Sequence, residues 1–342
     1  MTKTHGDLRA FYNTKLAPTL GKFQKERANI KRRVLHNSLR KSPRTFVFAF
    51  FAGVVFIYGL EIWRAIFDVG YMKENLPLPG VAIFAAVLAA YMVFNNAISS
   101  YFEERKSLTV RIKDFLIKKV LKLVAPEMIY HQWQHVPIEQ FEKSGIYPVP
   151  VHLYGGGDCF SGKYEGVDLI FSKLHAYPTA KTGRGPSRKS SFEGIFFVAD
   201  FHKDFRSSTF VIPTSDELVF GKRIGRLMKK LTSFQWGSLT RMECLEFEKM
   251  FAVYTEDAVE ARYILSPKIM ERMVAIQRRF PGNVAFAFHD SEIYITIPLK
   301  TDFIKPLCNL DLACVTAFYQ QLRLFFDLVH DLNLTSRIWT KV

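Results

Sequence analysis

Two uncharged apolar runs near the N-terminus, Thr45 to Leu60 and Leu78 to Ile98, limit what this chain can fold into more than any other feature. A helix needs about 20 mainly apolar residues to cross the roughly 30 Å of hydrocarbon in a bilayer. The second run has that length, and the first reaches it when the apolar residues up to Phe67 are added. The runs therefore predict a transmembrane hairpin, about 45–67 and 78–98. A buried hairpin in a soluble protein is disfavoured because neither run contains a charge.

Basic residues flank the two runs on their outer sides only. Residues 1–44 carry a net charge of +10 and residues 100–125 a net charge of +4, whereas the loop 61–77 carries −1. Positive charge is retained on the cytoplasmic side of a membrane. We therefore predict an integral membrane protein with both termini in the cytoplasm and a short external loop.

Most of the whole-chain charge of +15 lies in these flanks, and residues 126–342 keep only +2. A nucleic-acid-binding domain carries a strong positive field of its own, so we do not expect nucleic acid as a partner of this domain. The basic segment 1–44 is explained by topology and by attraction to anionic lipid head groups. Nucleic-acid binding by that segment is the alternative reading.

Helical spacing of apolar residues between Glu103 and Val124 predicts a juxtamembrane helix within the connector 99–125. It either continues the second run or lies at the membrane surface. Residues 126–145 form a short polar connector that ends at Ser144-Gly145. Residues 126–342 are enough for one domain with a substantial core.

From Ile146 onward the pattern changes to short segments rich in β-branched and aromatic residues, separated by Gly, Pro and Ser. These segments predict an antiparallel sheet, with the turn His289-Asp290-Ser291 between the last two strands. The predicted strands are 149–154, 167–171, 192–201, 208–212, 284–288 and 292–297. The polar stretch Pro178 to Ser191 is expected to be a mobile loop between two strands.

Two helices are predicted in the second half of the chain. Ser266 followed by Pro267 is typical of a helix start, and Pro281-Gly282 ends that helix. A last amphipathic helix is predicted from Asp311 to Leu332. Strands followed by packed helices indicate an α+β fold for the cytoplasmic domain.

Three patterns resemble sites only weakly. Gly157 to Tyr164 (GDCFSGKY) lacks the hydroxyl of the phosphate-binding GxxxxGK[ST] motif, so we interpret it as a glycine-rich turn. His131 and His135 could share a helical face as zinc ligands do, but no third ligand is evident. The four cysteines, at 159, 244, 308 and 314, have no CxxC spacing and are expected to be reduced core residues. No cofactor and no metal is expected.

Asp200, His202 and Asp204 alternate along a predicted strand and would point to one side of it. Three such residues can bind a metal or serve as acid and base. A solvated sheet face is the structural alternative, and it is the one we favour.

Residues 222–231 form a short basic amphipathic pattern. Apolar residues recur at helical spacing from Ile224 to Leu231, and the opposite face carries Lys222, Arg223, Arg226, Lys229 and Lys230. A basic amphipathic helix can bind an anionic membrane surface. A helix packed on its own domain, with a solvated basic face, is the favoured alternative.

Several stretches of the chain resemble a family of bacterial membrane proteins described only as domain of unknown function 3137. They are YEGVDLIFS from Tyr164, FEGIFFVADF from Phe192, and LEFEKMFAVY from Leu245, which continues into EARYILSP from Glu260. The resemblance covers most of the chain and includes two N-terminal membrane helices before a cytoplasmic domain. It implies a bacterial inner-membrane protein and carries no catalytic residue with it.

The third of these stretches also has a physical interpretation. Phe247, Phe251 and Val253 should face the core. Arg262 lies between apolar neighbours, so we predict a structural ion pair with a carboxylate. The candidates are Glu246, Glu248 and Glu260.

The sequence as a whole favours a membrane-anchored binding, regulatory or scaffold protein whose cytoplasmic domain engages a protein partner or anionic lipid. The alternative is a membrane-bound enzyme whose active site the sequence does not reveal. A pocket with paired titratable groups around Asp200, His202 and Asp204 would favour the enzyme. An exposed apolar patch without such groups would favour binding. A pore is disfavoured because nothing polar precedes Asn95 and Asn96 in either run.

Overall fold

The computed structural model describes residues 8–30, 32–33, 78–147, 151–178, 192–214, 236–280, 282–299, 310–332 and 334. For residues 78–90, 93, 94, 97 and 178 it describes the backbone alone. Predictions for the first apolar run, for residues 179–191 and for the basic segment 222–231 lie outside the described residues. Contacts divide the chain into two units, Met1–Lys113 and Asp114–Val342, which are described one at a time.

Two helical stretches are described in the first unit. Residues 8–30 are helical, with a π-helical turn at Tyr12–Leu16. Helix α1 runs from Leu78 to Val124, and its last turns belong to the second unit. Proline and glycine occur only in the first turn of α1, where proline is tolerated, so the helix continues unbroken through the predicted connector. Among the described residues, no helix combines the length and the apolar character that crossing a membrane requires.

An antiparallel sheet of nine described strands dominates the second unit, in the order β1-β2-β3-β4-β9-β8-β5-β7-β6. Five described helices accompany it, so the predicted α+β class is confirmed for this unit. The strands are β1 Met128–His131, β2 Val151–Tyr164, β3 Val167–Pro178, β4 Phe192–Asp200, β5 Thr209–Pro213, β6 Ser238–Thr240, β7 Phe251–Thr255, β8 Ala285–His289 and β9 Glu292–Pro298. The helices are α2 Ile138–Lys143, α3 Leu245–Met250, α4 Ala258–Ile264, α5 Pro267–Arg279 and α6 Leu312–Asp331.

Two hairpins have two-residue turns in which both residues adopt a positive φ, the geometry that matches the twist of paired strands. Asp290 (φ 51°) and Ser291 (φ 63°) join β8 to β9, so His289 belongs to β8 and not to the turn as predicted. Glu165 and Gly166 join β2 to β3 in the same way. The interpretation of residues 157–164 as a glycine-rich turn is wrong, because those residues lie inside β2.

One row of mostly apolar side chains crosses all nine strands at matched register and forms the core under α5 and α6. Phe171 stacks on Phe325 of α6 at 5.9 Å between ring centroids, and Phe280 contacts Phe325 at 5.8 Å. The row consists of Tyr130, Phe160, Phe171, Phe197, Ile295, Phe286, Val211, Val253 and Thr240. Phe247, Phe251 and Val253 are buried as predicted.

The opposite face of the sheet is covered by residues 136–147, which the sequence analysis had assigned to a polar connector. That assignment is wrong, because this stretch contains α2 and follows the edge strand β1. Val136, Phe141 and Ile146 are buried against strand residues such as Phe196 and Tyr294. The polar residues of the stretch lie on its outer side, which is why its composition hid its apolar contacts.

Candidate functional site

A shallow cleft of about 210 Å³ lies over one end of the sheet, on the face that α2 covers. Its walls come from four neighbouring strands, β2, β3, β4 and β9. The lining residues are Gly162, Asp168, Leu169, Ile170, Val198, Ala199, Asp200 and Glu292. We call this feature the carboxylate cleft, because three of its lining side chains are acidic.

Strand register brings the three carboxylates of the cleft together from distant parts of the sequence. Asp200 is paired with Glu292, and Asp168 is paired with Lys163. Leu169 of β3 opposes Ala199 of β4, so the next residues along the two strands, Asp168 and Asp200, lie side by side. Side chains alternate between faces along a strand, which turns all three acids to one side.

Lysines and a tyrosine surround the acids of the cleft. Lys163 Nζ lies 3.4 Å from Asp168 Oδ2, and Lys143 Nζ of α2 lies 3.5 Å from Glu292 Oε2. The hydroxyl of Tyr294 donates to Glu292 Oε2 at 2.5 Å. Burial raises the pKa of Tyr294, and its bond to the Glu292 carboxylate raises that pKa further. Tyr294 therefore stays protonated as a donor at neutral pH.

Lys143 also contacts the turn between β8 and β9. Its Nζ lies 3.3 Å from Asp290 Oδ2. Burial opposes ionisation of Asp290, but the hydrogen bond and charge of Lys143 outweigh it, so the pKa of Asp290 is lowered. The imidazole of His289 stacks on the ring of Tyr294 at 4.5 Å between centroids, and His289 Nδ1 lies 3.5 Å from Asp290 Oδ2. At one end of the cleft, ion pairs thus join α2 to the β8–β9 hairpin.

The predicted alternation of Asp200, His202 and Asp204 along a strand is wrong, because β4 ends at Asp200 and His202 adopts a left-handed conformation (φ 57°). The turn nevertheless brings two of the residues together. Asp200 Oδ1 accepts the His202 N–H at 2.8 Å, and Asp200 Oδ2 lies 3.7 Å from His202 Nε2. Asp204 instead accepts the hydroxyl of Ser291 at 2.5 Å.

The chemical capacity of the cleft follows from its lining. Its described walls carry carboxylates and apolar side chains, but no Ser, Thr, Cys or His side chain. Carboxylates can serve as general acids and bases, and those of Asp168 and Glu292 are already beside lysines. The cleft therefore brings together titratable groups, but its lining does not identify a reaction.

The histidine pair that could have held zinc does not form a site in the described residues. His131 lies in β1 and His135 follows it outside any helix, so they do not share a helical face. His135 packs its ring on Tyr154 at 5.2 Å instead. No group of three His, Cys, Asp or Glu residues is placed to hold a metal ion in the part of the chain that the structure describes.

The cysteines are only partly as predicted. Cys159 is buried, and burial raises the pKa of its thiol to about 11, so it stays protonated and unreactive. Cys244 and Cys314 are partly exposed, and Cys308 lies outside the described residues.

The predicted ion pair of Arg262 is wrong, because Arg262 is exposed and all three candidate carboxylates bond elsewhere. Glu246 pairs with Arg278, and Glu248 accepts the N–H of Met242. Glu260 accepts three hydrogen bonds, from the backbone N–H of Arg206 and from the N–H and hydroxyl of Ser207. Apolar sequence neighbours suggested burial, but position 262 lies on the outer face of α4.

Large apolar side chains are exposed at both edges of the sheet, a feature that the sequence analysis missed. On the β1 side, Trp133 is 76% exposed and is accompanied by Ile129 and Leu153. On the β6 side, Leu245 and Val259 are each 75% exposed, and Leu239 and Tyr263 are exposed by half or more. Exposed apolar side chains beside the edges of a sheet are candidate contact residues for a partner.

The first unit contains a contact that bears on membrane topology. Arg111 of α1 donates to Glu26 Oε2 at 2.6 Å, although the two residues are 85 positions apart. The Arg111 guanidinium also lies 5.8 Å from the ring centroid of Phe23. Both predicted membrane runs lie between the two partners in the sequence.

The second unit also contains the region that a family model matches. Residues 190–334, which span β4 to α6, match the model described as "Protein of unknown function (DUF3137)". The match confirms the resemblance inferred from the sequence motifs, since two of the three quoted stretches fall within it. The membrane helices of the resemblance lie outside the matched residues.

Other comparisons add little to the DUF3137 match. The search of curated proteins gives no match. Among solved structures, the crystal structure of the mycobacterial trehalose monomycolate transport factor A, TtfA, aligns over 60% of this chain and 94% of its own. Its sequence identity is 10% and its TM-score 0.28, so the likeness supports no conclusion on fold or function.

Proposed function

We propose that this protein is a membrane-anchored binding protein. A two-helix hairpin, about 45–67 and 78–98, holds the α+β domain at the cytoplasmic face of a bacterial inner membrane, and the domain engages a protein partner. The exposed apolar side chains at the two sheet edges are the observation that carries the binding function. The alternative, a membrane-bound enzyme, would use the carboxylate cleft, whose described walls contain Asp168, Asp200 and Glu292.

The ion pair between Glu26 and Arg111 supports the hairpin. Glu26 precedes the first apolar run and Arg111 follows the second, so their contact requires both to be on the same side of any membrane between them. An even number of crossings satisfies that requirement, and a single crossing does not. The excess of basic residues on both flanks favours the cytoplasm as that side.

The length of the helical stretch 78–98 within α1 also supports a span. Residues 78–98 are helical throughout, and 21 residues at 1.5 Å each rise about 31 Å, close to the thickness of the hydrocarbon layer.

The edge residues favour a protein partner over a chemical reaction. Tryptophan is the side chain most enriched among residues that dominate binding energy at interfaces, and Trp133 leaves most of its surface in water. Strand β1 is an edge of only four residues, and short edge strands avoid uncontrolled pairing. A partner would therefore contact the side chains beside this edge rather than extend the sheet.

Site-specific photocrosslinking in cells tests this function on the full-length chain. A benzophenone amino acid replaces Trp133 or Leu245, and the exposed polar residue Gln134 serves as the matched control position. We expect a discrete protein adduct at an edge position and none at Gln134. Trp133→Ser should abolish co-purification of that partner while leaving the melting temperature unchanged, because Trp133 has few contacts to lose. Absence of adducts at both edges, or equal adducts at Gln134, would contradict the proposal.

A further inference from the structure

One face of α1 carries exposed side chains at a regular spacing, inside the second apolar run and just beyond it. Tyr91, Ile98 and Phe102 expose 64%, 37% and 59% of their surface, and Asn95 is exposed among them. The intervals between these positions are four, three and four residues, the spacing at which side chains meet between two paired helices. We call these four residues the α1 stripe.

Asn95 gives the α1 stripe a need that lipid does not meet. It lies inside the second apolar run, three residues before Ile98, and no described residue bonds to its side chain. The amide of an asparagine both donates and accepts hydrogen bonds, whereas hydrocarbon chains offer neither donor nor acceptor. Polar side chains on membrane helices hydrogen-bond to neighbouring helices instead. The stripe therefore fits a second helix with a hydrogen-bonding group at the level of Asn95.

We propose that the α1 stripe pairs with the α1 stripe of a second copy of this chain. The inference rests on the proposed hairpin, which inserts every copy in the same orientation, so that two α1 helices run parallel. A two-fold axis between them places each residue opposite its own counterpart. Asn95 then faces Asn95, and each amide donates to the oxygen of the other. The apolar residues of the stripe likewise face apolar residues.

The sequence beyond the stripe limits the length of the paired region. The next position of the pattern, three residues after Phe102, is the exposed Arg105, and two arginines that face each other repel. Pairing therefore covers Tyr91 to Phe102, or about 16 Å along the helix axis. Two paired chains bring two copies of each sheet-edge cluster to one place, which strengthens binding to a partner with more than one site.

Photocrosslinking in bacterial membranes tests the pairing on the full-length chain. Two copies with different epitope tags are expressed together, and a benzophenone amino acid replaces Tyr91, Ile98 or Phe102 in one of them. The control positions are exposed on α1 away from the stripe, and they are Asn96, Ser100 and Glu103. We expect an adduct that carries both tags at the stripe positions and none at the control positions.

Two substitutions measure the contact between the amides. Asn95→Leu removes it, and Asn96→Leu is the matched control, because Asn96 is the same residue at nearly the same depth on another face. The association constant is obtained from the adduct yield at Phe102 over a series of expression levels. We expect Asn95→Leu to lower it about 3- to 20-fold, the range for one hydrogen bond between membrane helices, and Asn96→Leu to change it less than about 2-fold.

Several results would overturn the pairing. They are adducts at the control positions as strong as those at the stripe, adducts that contain another protein in place of the second copy, and equal effects of Asn95→Leu and Asn96→Leu. A chain that sediments with the membranes but forms no adduct at any stripe position would also overturn it. A chain that does not sediment with the membranes would overturn the hairpin itself, so failure of the pairing and failure of the proposed anchor are distinguishable.

Discussion

Glu260 is the residue whose removal tests the packing of the turn 201–208 on α4 most sharply. Its carboxylate accepts hydrogen bonds at 2.9, 2.8 and 2.7 Å from the N–H of Arg206, the N–H of Ser207 and the Ser207 hydroxyl. Each such bond contributes about 0.5–1.5 kcal/mol net, and the lower end applies because Glu260 is partly exposed. Glu260→Ala should therefore cost about 1.5 kcal/mol, or about 3–6 °C of melting temperature for a unit of this size.

The pH dependence of this effect has a defined sign. Burial opposes ionisation of Glu260, but the hydrogen bonds from Arg206 and Ser207 and the charge of Lys203 outweigh it, so its pKa is lowered in the folded state. A lowered pKa means that the stabilisation is complete above the unfolded pKa of about 4.3 and is lost as the pH falls through the folded pKa. The difference between the natural chain and Glu260→Ala should therefore be largest near pH 7 and should shrink below about pH 4.

Thermal melts of the full-length chain in detergent, followed by tryptophan fluorescence, measure both effects. Glu256→Ala is the matched control, because Glu256 is exposed and precedes the same helix. A gain in helix propensity accompanies Glu260→Ala and works against the predicted loss. Equal melting temperatures for Glu260→Ala and the natural chain at pH 7, or a difference that does not change with pH, would refute the reasoning.

Three further substitutions test the core, the strand pairing and a helix start, each by thermal melting. Phe171→Ala should cost about 3–5 kcal/mol, because its ring is fully buried in the row that crosses the sheet; a loss below about 1 kcal/mol would contradict that position. Gly194→Ala should destabilise strongly, because a Cβ there would collide with the backbone carbonyl of Ile297, whereas Gly21→Ala has open space and should be neutral or stabilising. Asp311→Ala should cost about 1 kcal/mol by removing the N-cap bond at the start of α6, and no loss would argue against that cap.

The parts of the fold that the sequence predicted well are those with strong local signals. One helix was predicted to start at Ser266-Pro267 and another at Asp311, and both helices are confirmed. The β-branched and aromatic segments at 192–201 and 292–297 also identified strands correctly. In each case a cap, a breaker or a regular period is contained within a few neighbouring residues.

The errors arose where tertiary contacts override local composition. Residues 136–147 look polar, but Phe141 and Ile146 are buried because the sheet face beside them needs a cover. The glycines of β2 suggested a turn, yet a Cβ on Gly156 would collide with the Lys173 carbonyl, so close strand approach explains that glycine. The carboxylate cleft joins Asp168, Asp200 and Glu292 through strand register, which no local pattern contains.

Membrane topology in living bacteria tests the central claim most directly. Full-length chains carry an alkaline phosphatase or a green fluorescent protein inserted at residue 72, in the predicted external loop, or fused after residue 342. The account predicts phosphatase activity only at residue 72 and fluorescence only at the C-terminus. A tag placed before residue 26 should lie on the same side of the membrane as the C-terminal fusion, because Glu26 contacts Arg111. Active phosphatase at the C-terminus, or tags before residue 26 and after residue 342 on opposite sides, would contradict the hairpin and the cytoplasmic binding domain together.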